Sequence, residues 1–172
     1  IRDRVVTTMS NIGLHAAAKE YGIDLAITDV GDRYVIEEMK KSGHNLGGEQ
    51  SGHMIFLDYN TTGDGTLSSL IVSKIVKEEG KTLSEQSALM TTYPQVLINV
   101  EVRNEVKNKF MENDEIRAEI ERLEKLMNGT GRVLIRPSGT QPLVRVMLEG
   151  KDEGQIRELA QGLADLIKEK LA

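Results

Sequence analysis

The residues best equipped for chemistry form one short run, Arg136-Pro137-Ser138-Gly139-Thr140-Gln141-Pro142. It lies between two apolar runs rich in β-branched residues, Val133-Leu134-Ile135 and Leu143 to Leu148, which read as strands. A turn here gathers a guanidinium, two hydroxyls and a glycine. Arginine presents a planar fork that meets two phosphate oxygens at once. Ser138 and Thr140 can donate hydroxyl protons, and Gly139 lets backbone N–H groups approach an anion. These types at this spacing suit a phosphate. They also suit an ordinary hairpin turn, because Gly, Ser and Thr are common in turns.

A second run, Gly47-Gly48-Glu49-Gln50-Ser51-Gly52-His53, precedes the apolar segment Met54-Ile55-Phe56-Leu57. It reads as a glycine-rich loop holding a carboxylate, an amide, a hydroxyl and an imidazole. A carboxylate and an amide suit the hydroxyls or amine of a sugar. The plainer alternative is a bent strand with a solvated Glu49 and a surface His53. A third segment, Val30-Gly31-Asp32-Arg33, follows one strand and precedes a helix, where ligands of α/β sheets collect. Asp32 there also fits a helix N-cap. Asp58 and Asp64 match no metal-loop spacing, and Asp64 reads as an N-cap, so no metal site is assigned.

Bulk properties narrow the classes. The 172 residues carry a net charge of −5, with 9 basic against 13 acidic residues up to Thr92 and 13 against 14 beyond it. Neither part offers the basic face that nucleic acid requires. No apolar run approaches the ~20 residues that cross a membrane, and no leader-like start is evident. There is no cysteine, hence no disulfide or thiolate metal site; a cytoplasmic location is expected. The chain opens at Ile1 rather than Met and reads as a piece of something longer.

The elements that must hold these loops follow from periodicity. Arg4–Met9, Leu25–Thr28 and Met54–Leu57 are expected strands. Helices are expected from Ile12 to Tyr21, Tyr34 to Ser42 (apolar at Tyr34, Ile36 and Met39), Asp64 to about Glu79 and Leu83 to Met90. Alternation of strands and helices predicts an α/β domain over 1–92. Tyr93-Pro94 breaks the pattern. Beyond it come an alternating strand through Val96, Ile98, Val100 and Val102, a helix over 113–127, two strands and a last helix. That order predicts an α+β domain over 96–172, an antiparallel sheet with helices on one face. The charges of helix 113–127 read as a solvated face.

Taken together, Val30–Val35, Gly47–His53, Thr61-Thr62-Gly63-Asp64-Gly65 and Arg136–Pro142 resemble, in order and spacing, the C-terminal half of an α-D-phosphohexomutase, on its amino-sugar side. The resemblance spans essentially the whole chain. One departure is Gln141, where the family usually has Glu. The resemblance implies a three-layer α/β/α first domain for sugar recognition and a TATA-binding-protein-like second domain for phosphate. It implies sugar contacts from Gly31, Asp32, Arg33, Glu49 and Ser51, and proton transfer by His53 as a candidate role. It implies a clamp on the non-reacting phosphate by Arg136, Ser138, Gly139 and Thr140, with Arg145 either reaching the same phosphate or pairing structurally. Gln141 is expected to act as scaffold. The implied parent interconverts glucosamine 6-phosphate and glucosamine 1-phosphate, toward UDP-N-acetylglucosamine and cell wall. It works through a phosphoserine and a 1,6-bisphosphate, with Mg2+ and glucosamine or glucose 1,6-bisphosphate as cofactors. The serine and the magnesium loop belong to earlier domains, which become partners within one chain, so this chain alone is expected to be inactive. A homodimer is left open. Competing readings are a hexomutase for glucose or mannose phosphates, a non-catalytic phosphosugar-binding module, and a purely structural fragment.

Overall fold

The structure, a computed structural model, describes residues 3–129 and 131–171; positions 1, 2, 130 and 172 of the two expected domains lie outside them. The chain divides into two compact units, Ile1–Thr92 and Tyr93–Ala172.

The first unit is a four-stranded sheet with helices. Its strands are β1 (Arg4–Thr7), β2 (Leu25–Thr28), β3 (Leu46–Gly48) and β4 (Met54–Phe56), in the order β2-β1-β3-β4. β1 is parallel to β2 and β3, and β4 turns back antiparallel to β3. The helices are α1 (Ile12–Tyr21), α2 (Asp32–Ser42), α3 (Gly65–Glu79) and the short α4 (Leu83–Ser87). Helix α1 is capped by Asn11 and stopped by Gly22, and α3 is capped by Asp64. Helix α2 packs on β1, β2 and β3. Val35 and Met39, one turn apart on α2, meet Val5 and Ile55 in a small core.

Several expected bounds move, each for a local reason. The Ser10 N–H folds back onto the Thr7 carbonyl, so β1 ends at Thr7 rather than Met9. Helix α2 begins at Asp32, two residues early, because the Gly31 carbonyl already accepts from Tyr34 and Val35. Gly31, not Asp32, is its N-cap. Tyr34 is exposed; Met39 is buried, and Val35 joins it on the buried face. Leu46–Gly48 is a strand where a glycine loop was expected, since Gly47 sits in register with Val5 and Ile55. No residue of α3 is buried, despite its apolar spacing. Helix α4 ends at Ser87 rather than Met90, after a capping box between Thr82 and Glu85.

The second unit contains β5 (Gln95–Glu101), α5 (Asp114–Met127), β6 (Gly131–Pro137), β7 (Leu143–Gly150) and α6 (Glu153–Leu171). A short 3₁₀ turn, Phe110–Glu112, precedes α5. The sheet is antiparallel in the order β5-β7-β6. Period-two alternation sorts its two faces. Val96, Ile98 and Val100, Val133 and Ile135, and Val144, Val146 and Leu148 form one core with the apolar stripes of α5 and α6. The opposite face is read in cross-strand rows. Gln95, Glu149 and Arg132 form one, Leu97, Met147 and Leu134 the next, and Asn99, Arg145 and Arg136 the third. Strand β6 runs on through Arg136 and Pro137, so Arg136 lies in a strand rather than at the head of the turn.

In the first of those rows Glu149 is fully buried. Its carboxylate accepts from Arg132 Nε at 2.6 Å and from Gln95 Nε2 at 2.8 Å. A buried carboxylate is tolerable only when so answered. Arg132→Met should therefore destabilise the chain by about 3 kcal/mol, because it strands that charge; an unchanged denaturation midpoint would contradict this. A Cβ on Gly47 would stand 2.6 Å from Met39 Sδ, 2.8 Å from Val35 Cγ1 and 3.1 Å from the Val5 carbonyl. Gly47→Ala should thus cost about 1–3 kcal/mol by overpacking, read from the same denaturation curves.

Candidate functional site

In the first unit the β3–β4 hairpin and the start of α2 come together. The hairpin closes by the Glu49 N–H donating to the His53 carbonyl and the Gly52 N–H donating to the Glu49 carbonyl, both at 3.0 Å. Glu49 Oε1 accepts from the Gly31 N–H at 2.8 Å. Gly31 has φ 141°, a region that favours glycine. The bond sets a carboxylate at the amino end of α2, where the helix dipole welcomes negative charge. Asp32, on the first turn, reaches His53 Nδ1 at 3.1 Å. Glu49 Oε2 lies 4.0 Å from the same nitrogen and 3.4 Å from the Ser51 hydroxyl. Glu49 is nearly covered, with 11% of its side chain exposed, whereas His53 is 61% exposed.

The cluster therefore has a fixed base and an open rim. An ionised carboxylate only accepts hydrogen bonds, so the Asp32 contact requires a proton on Nδ1. In that tautomer Nε2 is the other ring nitrogen, on an exposed side chain. Glu49 Oε2 and the Ser51 hydroxyl form an acceptor and donor pair suited to sugar hydroxyls. Asp32, Glu49 and His53 also place one ligand-capable atom each within 4.8 Å of one another, a convergence the sequence analysis did not assign. Arg33 is not brought in; it is exposed and pairs with Glu37 at 2.8 Å along the helix. Asp58 and Asp64 do not converge either. Asp58 accepts from Asn45, and Asp64 accepts from the Leu67 N–H at 2.9 Å. That backbone bond, chiefly, holds the Asp64 carboxyl below its usual range.

In the second unit Arg136 and Arg145 are cross-strand neighbours. Burial, and then the charge of Arg145, push the Arg136 guanidinium down from its ordinary value. Arg145 Nε is buried without a hydrogen-bond partner among the described residues. Two adjacent cations with an unmet donor are an arrangement that an anion would relieve. The turn beside them is braced internally. The Ser138 N–H donates to the Leu143 carbonyl at 2.9 Å, the Gln141 N–H to the Ser138 hydroxyl at 3.2 Å, and the Leu143 N–H to the Gln141 carbonyl at 2.9 Å. Gln141 thus braces the turn through its backbone. Gly139 and Thr140 are exposed at its tip. Sequence reasoning missed Lys107, whose Nζ donates to the Ser138 carbonyl at 2.8 Å and the Gln141 carbonyl at 3.3 Å. It lies in an irregular segment about thirty positions upstream, without a motif to mark it.

Two family descriptions match. "Phosphoglucomutase/phosphomannomutase, alpha/beta/alpha domain III" covers residues 2–93, and the corresponding "C-terminal domain" covers residues 97–166. Similar curated proteins are the phosphoglucosamine mutases of Clostridioides difficile (strain 630), 68% identical over 98% of this chain, and of Thermoanaerobacter sp. (strain X514), 62% identical over 97%. The chain spans 38% and 37% of their lengths. Among solved structures, an S69A form of Aspergillus fumigatus N-acetylphosphoglucosamine mutase in complex with glucose 1,6-bisphosphate matches with TM-score 0.82 at 20% identity, over 100% of this chain and 39% of that one. The same enzyme in complex with GlcNAc-6P and magnesium matches with TM-score 0.78 at 21% identity, over 99% of this chain and 39% of that one. Those identities speak for the fold, and the paired family matches for descent: the chain belongs to the phosphoglucomutase/phosphomannomutase family of phosphohexomutases, carrying its third and C-terminal domains.

Proposed function

We propose that this chain is the sugar- and phosphate-recognising part of a phosphoglucosamine mutase, acting on glucosamine 6-phosphate and glucosamine 1-phosphate. One observation carries the substrate: the 68% identity to a phosphoglucosamine mutase, spread over 98% of this chain. The site geometry supports it. In the first unit, Glu49 Oε2 and Ser51 read sugar hydroxyls from a base that the Gly31 N–H holds in place. His53, its Nδ1 proton turned to Asp32, gives and takes a proton at Nε2 as a sugar hydroxyl gains or loses a phosphoryl group. In the second unit, Arg136, Arg145, Ser138, Gly139 and Thr140 clamp the phosphate that is not reacting.

The phosphoryl carrier and magnesium belong, on this reading, to the domains that the chain does not span. Magnesium takes converging oxygens. The described carboxylates do not form such a cage; the one convergent group, Asp32, Glu49 and His53, includes an imidazole. A glucosamine or glucose 1,6-bisphosphate is the matching intermediate and activator. The earlier domains are the partners within one chain, and the setting is cytoplasmic.

The test is a coupled assay of the full-length protein containing this chain, with magnesium and bisphosphate present. Glucosamine 6-phosphate should be turned over with kcat/KM at least tenfold above that for glucose or mannose phosphates; the reverse order would make it a sibling hexomutase. Purified alone, the 172-residue chain should give no turnover, and activity above background would overturn the placement of phosphoryl transfer elsewhere. Arg136→Ala in the full-length enzyme should raise KM by roughly tenfold or more, since a hydrogen bond to a charged group contributes about 1.5–3 kcal/mol. An unchanged KM in that folded variant would remove Arg136 from the clamp.

A further inference from the structure

The segment between β5 and α5 looks like connecting chain, yet it is anchored at two points. Val106 packs against the core of the second unit, and Phe110 is buried in it. Backbone bonds from Val106 and Lys107 to the Arg103 carbonyl, both at 3.1 Å, coil the segment tightly. Lys107, between the anchors, is thereby half-buried and aimed at the turn Ser138–Pro142. Its ammonium group donates to two carbonyls of that turn, Ser138 at 2.8 Å and Gln141 at 3.3 Å.

We propose that Lys107 is a positioning residue for the phosphate turn, holding the Ser138 and Gln141 carbonyls away from the anion so that the N–H groups of the tip are presented to it. This rests on the phosphate-clamp reading above. Carbonyl oxygens repel an anion, and a short turn that exposes both its carbonyls and its N–H groups is an indifferent receptor. Here the two carbonyls that flank the tip are taken by one cation, and the Ser138 hydroxyl is engaged by the Gln141 N–H. The N–H groups of Gly139 and Thr140 make no hydrogen bond among the described residues. They are the donors left at the exposed tip. The ammonium also adds a positive charge behind the turn, on top of Arg136 and Arg145. Lys107 has no role as a direct ligand in this account; its donors are spent on the protein.

The experiment is an NMR titration of the 172-residue chain with glucosamine 6-phosphate, with neutral glucosamine as the control, following the Gly139 and Thr140 amides. The wild type should show saturable shifts with the phosphate ester alone. Lys107→Met keeps the aliphatic stem and removes the donors; its affinity should fall roughly tenfold, the loss of a charge-assisted bond. Lys107→Arg should restore affinity to within about threefold, which filling space alone would not predict. Should Lys107→Met fail to fold, Lys107→Gln makes the same comparison with a neutral donor. Wild-type binding with Lys107→Met within about twofold of it would overturn the proposal and leave the clamp intact, as would a folded Lys107→Arg no better than Lys107→Met. No saturable shift in the wild type would sink the clamp reading and this inference together.

Discussion

The hydrogen bond from the Gly31 N–H to Glu49 Oε1 is the tie on which the first unit's site depends. It joins two loops eighteen positions apart, one entering a helix and one turning a hairpin. Without it Glu49 would be a solvated side chain on a short hairpin, and His53 would keep only Asp32 beside it. With it, one carboxylate oxygen is committed and the other is held at the rim beside Ser51. The tie needs glycine twice over. Gly31 must adopt a positive φ to cap α2 and aim its N–H. Gly47 must lack a side chain so that Val35 and Met39 of α2 can sit directly on the sheet. Overpacking at Gly47 would lift the helix and with it the end that carries Gly31 and Asp32.

The second unit works by contrast within one sheet face. At one end of β6 and β7, Glu149 is buried and its charge is answered by Arg132 and Gln95. At the other end, Arg136 and Arg145 stand side by side, and Arg145 Nε has no hydrogen-bond partner among the described residues. The same pleat produces both rows, so the difference is not geometric. One end is electrostatically complete and contributes rigidity. The other leaves a buried guanidinium donor unmet among the described residues. The apolar row between them, through Leu97, Met147 and Leu134, separates the two ends.

Hairpin and turn differ in the groups they offer. The hairpin offers side chains of mixed sign, which suit hydroxyl groups that both donate and accept. The turn offers backbone donors at its tip, with its Ser138 and Gln141 carbonyls and Ser138 hydroxyl engaged by Lys107 and the Gln141 N–H. No helix among the described residues is long and apolar enough to cross a membrane.

Much of this was legible in the residues. Alternation at Val96, Ile98 and Val100 and the stripes of α5 and α6 predicted the second unit's sheet and its covered face, because those periods are local consequences of backbone geometry. The glycines, the Arg136–Pro142 run and the Gly47–His53 run marked both loops, because turns and anion donors need particular residue types. What the residues could not decide was partnership at a distance. Whether Asp32 would cap a helix or meet His53 depended on where α2 began, which Gly31 settled in three dimensions. Arg33 and Asp32 are adjacent in sequence, yet only Asp32 joins the cluster, since helical geometry sends consecutive side chains about 100° apart. The apolar residues of α3 have helical spacing but none is buried, for burial depends on what lies opposite. Lys107 carried no signal, because a lysine in an irregular segment gains its meaning only from the carbonyls that tertiary folding brings to it.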